Sequence, residues 1–258
     1  MRKSLVGIWG LGESGVGAAL LAKKHGYDML LVASQPPAPH HARILEGAQL
    51  SWEVVEDPFP LLNQCEVIIR SPGIRPDTEA LRKLLIEGKK IISDLEWGGW
   101  HFPSHAILWL VTGSTGKTST TALLAHLLRT GGKQAIACGN IGYSFGAALT
   151  EEKIYEYYVL EASSFQLWDT YTLTPHLAVI TNLTRNHIDW HGSYEAYVDA
   201  KLRFVTRLRP ENHLLYDAGS LKLVEALSRY PIRCKVWRYR EVGGDGITAW
   251  IENQNLIC

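Results

Sequence analysis

Val111-Thr112-Gly113-Ser114-Thr115-Gly116-Lys117-Thr118-Ser119-Thr120-Thr121 follows an apolar run from Ala106 to Val111 and opens a helical stretch from about Lys117 to Thr130. Strand, glycine loop and helix in that order make a phosphate site. Gly113 and Gly116 let the backbone turn with its N–H groups inward, and the helix offers the positive end of its dipole to an anion. Gly113, Ser114, Thr115, Gly116, Lys117, Thr118 and Ser119 are the ATP-binding candidates. In such loops the lysine reaches the β- and γ-phosphates, and the following hydroxyl, here Thr118, coordinates Mg²⁺. The general pattern asks for a glycine where this chain has Val111, so a Gly/Ser/Thr-rich turn capping a core helix stays open as the plain alternative.

Working outward, 258 residues are enough for two domains or one large one, and 46% hydrophobic with 20% charged residues is the balance of a soluble globular chain. Lys+Arg and Asp+Glu are both 26. That neutrality argues against a nucleic-acid surface and against an electrostatic membrane anchor, leaving a small-molecule substrate as the expectation. Cys65, Cys138, Cys234 and Cys258 form no CxxC pair, which indicates neither a disulfide framework nor a zinc site, and a reducing cytoplasm fits. Arg2 and Lys3 before an apolar stretch imitate a signal peptide, but Glu13 and the glycines from Gly7 to Gly17 interrupt the run. No span approaches the roughly 20 apolar residues of a membrane helix.

Toward the N-terminus, Leu5 to Trp9 reads as a strand that enters Gly10-Leu11-Gly12-Glu13-Ser14-Gly15 and then a helix to about His25. This is GxGxxG between strand and helix, a nucleotide half-site. A second strand, Met29 to Ala33, ends in Ser34-Gln35, where a dehydrogenase's ribose-binding acid would stand, which counts against a hydride-transferring enzyme. Pro36, Pro37 and Pro39 read as a loop, and a third strand, Val67 to Ile69, stops at Ser71-Pro72-Gly73. Strand ends of one open sheet converge, so Ser14, Gly15, Ser34, Gln35, Ser71 and Gly73 are expected to line one crevice, although each alone is as readily a turn. The boundary is placed near Leu95. The fold class is thus α/β: a Rossmann-like parallel-sheet domain, residues 1–95, then an incomplete P-loop ATPase-type α/β domain, residues 96–258.

Beyond the phosphate loop, Gln134 to Ala137 reads as a strand before Gly139-Asn140-Ile141-Gly142, which exposes Asn140. Tyr157 to Leu160 ends in Glu161-Ala162-Ser163-Ser164-Phe165-Gln166-Leu167, and Leu177 to Thr181 ends in Asn182-Leu183-Thr184-Arg185-Asn186-His187-Ile188-Asp189. A carboxylate and an imidazole at strand ends can ligate or orient a metal beside phosphates, although isolated buried Glu or His is often a satisfied core group.

As a set, these motifs resemble the Mur ligases of peptidoglycan synthesis. Thr112-Gly113-Ser114-Thr115-Gly116-Lys117-Thr118 looks like that family's ATP loop, and the N-terminal glycine motif with Ser71-Pro72-Gly73-Ile74 looks like its UDP-binding domain. Ser163-Ser164-Phe165-Gln166-Leu167 is similar to the member that adds D-glutamate to UDP-N-acetylmuramoyl-L-alanine. His187-Ile188-Asp189 and Tyr197-Val198-Asp199-Ala200-Lys201 look like the metal-binding histidine and the lysine that the family carbamylates. Thr115, Asn186 and Ser34-Gln35 depart from the family pattern. The resemblance runs to about Phe204, family members continue past residue 258, and no motif is found in Leu214 to Cys258.

What the resemblance implies is ATP-driven amide formation through an acyl phosphate, in a cytoplasmic, monomeric enzyme of cell-wall synthesis and cell division. Lys117, Glu161, His187 and Lys201 become the catalytic candidates. Thr118, Glu161, His187 and carbamylated Lys201 become ligands of two Mg²⁺ ions. Ser14, Gly15, Ser34, Gln35, Ser71, Gly73, Asn140, Ser163 and Gln166 become the substrate-binding candidates. Activity of this chain alone is doubtful on the same resemblance, so a module that binds UDP-sugar and ATP without joining anything stays open beside the ligase.

Overall fold

The structure is a computed structural model, describing residues 5–241, 243, 245–252 and 255–257; Arg2, Lys3 and Cys258 lie outside them. The chain runs β1 (Val6–Trp9), α1 (Glu13–Lys24), β2 (Met29–Ala33), α2 (Pro39–Gly47), β3 (Glu53–Val54), α3 (Phe59–Leu62), β4 (Val67–Arg70), α4 (Glu79–Ile86), β5 (Lys90–Ile92) and α5 (Asp94–Trp100). Next come β6 (Ile107–Thr112), α6 (Lys117–Thr130), β7 (Ala135–Gly139), α7 (Phe145–Thr150), β8 (Tyr157–Glu161), α8 (Ser164–Trp168) and β9 (Leu177–Ile180). The remainder is α9 (Ile188–His191), α10 (Tyr194–Leu202), a 3-10 turn (Arg203–Arg207), β10 (His213–Asp217), α11 (Leu221–Leu227), β11 (Lys235–Arg240), β12 (Ala249–Glu252) and β13 (Asn255–Ile257).

The first five strands pair in parallel in the order β3-β2-β1-β4-β5. Strand order reverses at β1, which lies between β2 and β4, so the glycine loop after Trp9 opens at the point where connections leave in opposite directions. The second sheet has the order β13-β12-β11-β10-β9-β6-β8-β7, parallel from β12 through β11, β10, β9 and β6 to β8 and antiparallel between β12 and β13. Here β6 lies between β8 and β9. Register places Val111 beside both Glu161 and Val179, so the loop after β6, the end of β8 and the end of β9 come out at one edge.

Two compact units result. The first holds residues 1–104, 138–154 and 165–173, and the second holds 105–137, 155–164 and 174–258. Helix α5 occupies the neighbourhood of Leu95, and the first unit continues through Ser104. Pro39, read in sequence as part of a loop, is instead the first residue of α2, where its missing N–H is no loss and its fixed φ suits the helix. The stretch after Leu214, read as strands and turns, also contains α11, whose Leu223, Ala226 and Leu227 are buried.

In the first unit α1 and α7 approach closely because neither has a side chain at the crossing. A Cβ on Gly146 would lie 2.5 Å from the Gly17 carbonyl oxygen, and one on Gly17 would meet the Ser144 hydroxyl at 2.0 Å. In the second unit Leu108, Leu110, Tyr158, Leu160, Ala178 and Ile180 are buried on one face of the sheet. The other face is covered over Val111, Val159 and Val179, where Ala125 of α6 packs. Toward the strand starts it opens into an apolar cleft of about 640 Å³ beside Ile107, Trp109, Tyr157, Leu177, Leu215 and Trp237.

The segment 169–173 is anchored to α5 by carboxylates. Glu96, only 1% exposed, accepts from the backbone N–H groups of Tyr171, Thr172 and Leu173 at 2.8 to 3.2 Å and from the Trp100 indole at 3.1 Å. Burial works to raise its pKa, but the Thr172, Leu173 and Tyr171 donors outweigh it and hold the carboxyl below its usual value of 4.5. Replacing Glu96 by Ala leaves those buried donors without their acceptor, a loss of about 3 kcal/mol in urea unfolding at pH 7. Since the folded pKa is the lower one, this stabilisation is complete above about pH 4.5 and is lost as pH falls through the folded value. The gap between parent and variant is therefore expected to narrow in acid; an equal gap at pH 7 and pH 3 contradicts the assignment.

Candidate functional site

In the second unit the phosphate loop is held open by backbone conformation and by side chains beneath it. Gly113 at φ 146° and Gly116 at φ 78° occupy the region closed to most L residues, and a Cβ on Gly113 would lie 2.0 Å from the Thr181 hydroxyl. The Thr115 N–H donates to Asn182 Oδ1 at 3.0 Å, while Asn182 Nδ2 donates to Thr115 Oγ1 at 3.0 Å and to its carbonyl at 3.2 Å. Thr181 Oγ1 donates to the same carbonyl at 2.6 Å. Ser114 is buried, its hydroxyl 2.7 Å from the Tyr197 hydroxyl and accepting from Thr184 N–H at 2.8 Å. Ser114 is thus part of the loop's foundation, whereas Thr115, Gly116, Thr118 and Ser119 are exposed at the helix start.

Positive charge gathers around this loop. Lys117 folds back so that Nζ donates to the Ser114 carbonyl at 3.1 Å. Lys201, on α10, is only 2% exposed and donates to the Gly113 carbonyl at 2.7 Å, with Thr112 Oγ1 at 3.5 Å. Burial, with the neighbouring Lys117 charge, pushes its amine down to about 7, against the opposing pull of Glu161. Glu161 itself is buried at the end of β8. His187 starts α9 with φ 52° and ψ 35°, left-handed values that a non-glycine residue holds only when its surroundings impose them. Its pKa is lowered by burial and then by the charges of Lys201 and Lys117, so four sequence-derived candidates share one field. His191, one turn further, is pushed down to about 4 by burial and by His187 and Lys201, and shares a 3.0 Å hydrogen bond with Ser164. Two lysines at one loop whose backbone N–H groups turn inward suit an anion.

Among the described residues no group of three or more His, Cys, Asp or Glu is arranged to hold a metal. The donors present, the Thr118 hydroxyl and the Glu161 carboxylate, suit Mg²⁺, which takes one or two protein oxygens and completes its shell with phosphates and water. The Lys201 ammonium is not itself a ligand, and only as an anionic carbamate does it join that set.

In the first unit two adjoining clefts open at the carboxyl ends of β1, β2 and β4. One, about 370 Å³, is lined by Gly10, Gly12, Ser34, Gln35 and His41; the other, about 680 Å³, by Ser34, Gly73, Arg75 and Lys83, and Trp9 and Ile74 border both. Ser34, Gln35 and Gly73 thus meet at these clefts. Ser14, Gly15 and Ser71 do not line them. The Ser71 hydroxyl donates to the Gly10 carbonyl at 2.9 Å, Gly15 packs against that same carbonyl, and the Ser14 hydroxyl is bound to Asp94. Asn140 is exposed after β7, Ser163 is buried in the second unit, and Gln166 is buried in the first with its amide on Asp94.

Sequence reading missed Asn182, Tyr197, His41 and Asp94. Asn182 and Tyr197 lay inside stretches already singled out, and helical spacing puts Tyr197 on the face of Lys201 four residues on. His41 pairs with Glu13 at 3.2 Å, while Glu13 also accepts from Ser144 N–H at 3.1 Å, an arrangement no spacing announces.

The family model described as the Mur ligase middle domain matches residues 111–255. The UDP-N-acetylmuramoylalanine–D-glutamate ligase of Christiangramia forsetii is 33% identical over 258 residues, covering 100% of this chain and 57% of the relative. The enzyme of the same name from Bacteroides fragilis strain ATCC 25285 is 30% identical over 251 residues, covering 97% of this chain and 56% of its own. The chain spans about half the length of the curated relatives it matches. Among solved structures, the UDP-N-acetylmuramate:L-alanyl-gamma-D-glutamyl-meso-diaminopimelate ligase from Neisseria meningitides superposes with a TM-score of 0.67 at 17% identity, over 96% of this chain and 83% of that one, a likeness of fold. The family model covers more than half of the residues and begins at the phosphate loop itself, and on that ground the chain belongs to the Mur ligase family.

Proposed function

We propose that this polypeptide carries the UDP-substrate and ATP sites of a ligase that adds D-glutamate to UDP-N-acetylmuramoyl-L-alanine, in the cytoplasm and as a monomer. The observation that carries the reading is the shared field of Lys117, Lys201, Glu161 and His187 at the mouth of the loop after β6. Relatives bearing that enzyme's name align over the full chain. No helix among the described residues is long and apolar enough to cross a membrane. In this reading residues 1–95 belong to the UDP-substrate domain and 96–258 to the ATP domain. Ser34, Gln35 and Gly73 meet the nucleotide in the clefts, Gly15 and Ser71 shape the loop beside them, and Ser14, Asn140, Ser163 and Gln166 serve the rest of the acceptor substrate.

The chemistry follows from charge. The acceptor carboxylate takes the γ-phosphoryl group of ATP to give an acyl phosphate, and the amino group of D-glutamate displaces inorganic phosphate from it. Lys117 leaves the Ser114 carbonyl for the β- and γ-phosphates, a short swing that exchanges one acceptor for a stronger one. Two Mg²⁺ ions, held by Thr118, Glu161, His187 and carbamylated Lys201, supply charge neutralisation when bound. Lys201 is prepared for that role: an amine with a pKa of about 7 has a substantial neutral fraction near neutrality, and the neutral amine is the form that adds CO₂.

A second reading is a module that binds UDP-sugar and ATP without joining them. Phosphate release separates the two. Release that requires UDP-N-acetylmuramoyl-L-alanine, and that Lys117→Ala lowers by at least about a hundredfold, supports the ligase; binding of both ligands without release supports the module; failure to bind either ligand defeats both.

Gly73→Val tests the clefts separately. A Cβ at Gly73 meets no protein atom within 4 Å, so the fold is expected to melt at the parent's temperature while calorimetry shows the UDP substrate bound at least about tenfold more weakly. Equal affinity in parent and variant removes Gly73 from the site. For Lys201, ¹³C-bicarbonate is expected to give a carbamate resonance near neutral pH that Lys201→Arg abolishes and that fades as pH falls below about 7. A signal that survives the substitution belongs to another amine.

A further inference from the structure

His41 lies in the first turn of α2, is 8% exposed, and borders the 370 Å³ cleft together with Gly10, Gly12, Ser34 and Gln35. Its Nε2 is 3.2 Å from Oε2 of Glu13, the first residue of α1, and the ring of His40 lies over it with centres 3.9 Å apart. Glu13 is itself fixed, because its other oxygen accepts from the Ser144 N–H at 3.1 Å. A carboxylate only accepts, so a neutral imidazole facing one carries its proton on the near nitrogen, here Nε2. Nδ1 is then a bare acceptor. It has no hydrogen-bond partner among the described residues and is not one of the polar atoms sealed from water, so it stands open where the ring borders the cleft.

The other polar side chains named on this cleft are of a different kind. Ser34 and Gln35 are exposed, and a hydroxyl or an amide offers both donor and acceptor and can turn either way. They accept many ligands. A buried ring whose polarity is set from behind does not adapt, and a ligand that brings no donor to it leaves the acceptor unpaired. Dinucleotide-binding sheets place a ribose-binding acid at the end of the second strand, where this chain has Ser34-Gln35, so the fixed acceptor of the cleft is His41 instead. The acid inside the glycine motif thereby serves the ring.

We propose that His41 is a specificity-determining residue of the nucleotide cleft: its Nδ1 accepts a hydrogen bond from a donor of the uridine, either the imide N–H of the base or a ribose hydroxyl. Glu13 is its positioning residue. This rests on the proposed function, in which the cleft meets the UDP end of the substrate.

The test is calorimetry with UDP and its N3-methyl, 2′-deoxy and 3′-deoxy analogues at about pH 8, above the ordinary histidine range. The parent is expected to bind UDP at least about tenfold more tightly than the analogue that lacks the donor, which says whether base or ribose meets the ring. In His41→Ala water replaces the ring at Glu13, whose side chain is 42% exposed, and alanine suits a helix, so the fold is expected to persist. That variant is expected to bind UDP about tenfold more weakly and to treat UDP and the analogue alike. Glu13→Gln keeps an oxygen for the Ser144 N–H and turns its NH₂ to His41, which reverses the tautomer and makes Nδ1 a donor. If the base is the partner, UDP then weakens about tenfold and CDP, whose N3 accepts, gains on it; if a hydroxyl is the partner, UDP changes by less than about threefold, because a hydroxyl serves either polarity. Ring ¹⁵N signals are expected to show the proton on Nε2 in the parent and on Nδ1 in Glu13→Gln. A His41→Ala protein that keeps the parent's affinity and discrimination overturns the proposal alone, as does a parent ring protonated on Nδ1. A parent that binds no UDP at all defeats the functional reading first and this inference with it.

Discussion

The phosphate-loop unit depends on a lysine removed from water. An ammonium in the interior is costly unless acceptors replace its hydration, and Lys201 finds the Gly113 carbonyl at 2.7 Å and the field of Glu161. Burial, with the Lys117 charge added to it, holds the amine at about 7 instead of its usual 10.5. The helix that carries Lys201 carries Tyr197 one turn earlier, and Tyr197 supports Ser114 from below. One face of α10 thereby fixes the loop's backbone and supplies its second charge. Removing charge from that face disturbs the loop's electrostatics and its shape together.

The first unit is organised by acids instead. Asp94, Glu96 and Asp169 are buried, and each gathers donors from a segment far away in sequence. Arg70, at the end of β4, places Nε and Nη2 at 2.7 and 2.6 Å from Asp169 Oδ2 and donates as well to the Ile74 carbonyl, so the loop that carries Gly73 is tied to the same knot. A consequence is that one sequence motif serves two units: Glu161, Ser163 and Ser164 belong to the second, Phe165 and Gln166 to the first. Low local dielectric makes these hydrogen bonds strong and makes their loss expensive.

The two sheets share a logic that links fold to chemistry. Parallel strands bring their carboxyl ends to one edge, and a reversal of strand order leaves a gap there. In the first sheet the reversal is at β1 and the gap becomes the two clefts; in the second it is at β6 and the gap is the phosphate loop. Glycine occupies the approach in both cases. The departures from the family pattern find a local account at one position: Thr115 is held by Asn182 through its N–H, carbonyl and hydroxyl.

The sequence by itself determined the strand–loop–helix order around Gly10 to Gly15 and Gly113 to Lys117, and with it the class of fold and the presence of phosphate-type loops. Glycine and the residue that follows a strand act locally, within a few residues, so their meaning survives without the rest of the chain. Lys117, Glu161 and His187 were legible as candidates for the same reason, each standing in a motif or at a strand end, whereas Lys201 entered only through the resemblance to a family. Tertiary structure alone decided that Lys201 is buried and shifted, that Ser14 turns to Asp94 rather than into the clefts, and that Pro39 starts a helix. Those outcomes rest on desolvation and on partners remote in sequence, quantities that arise only when separate segments displace water from one another.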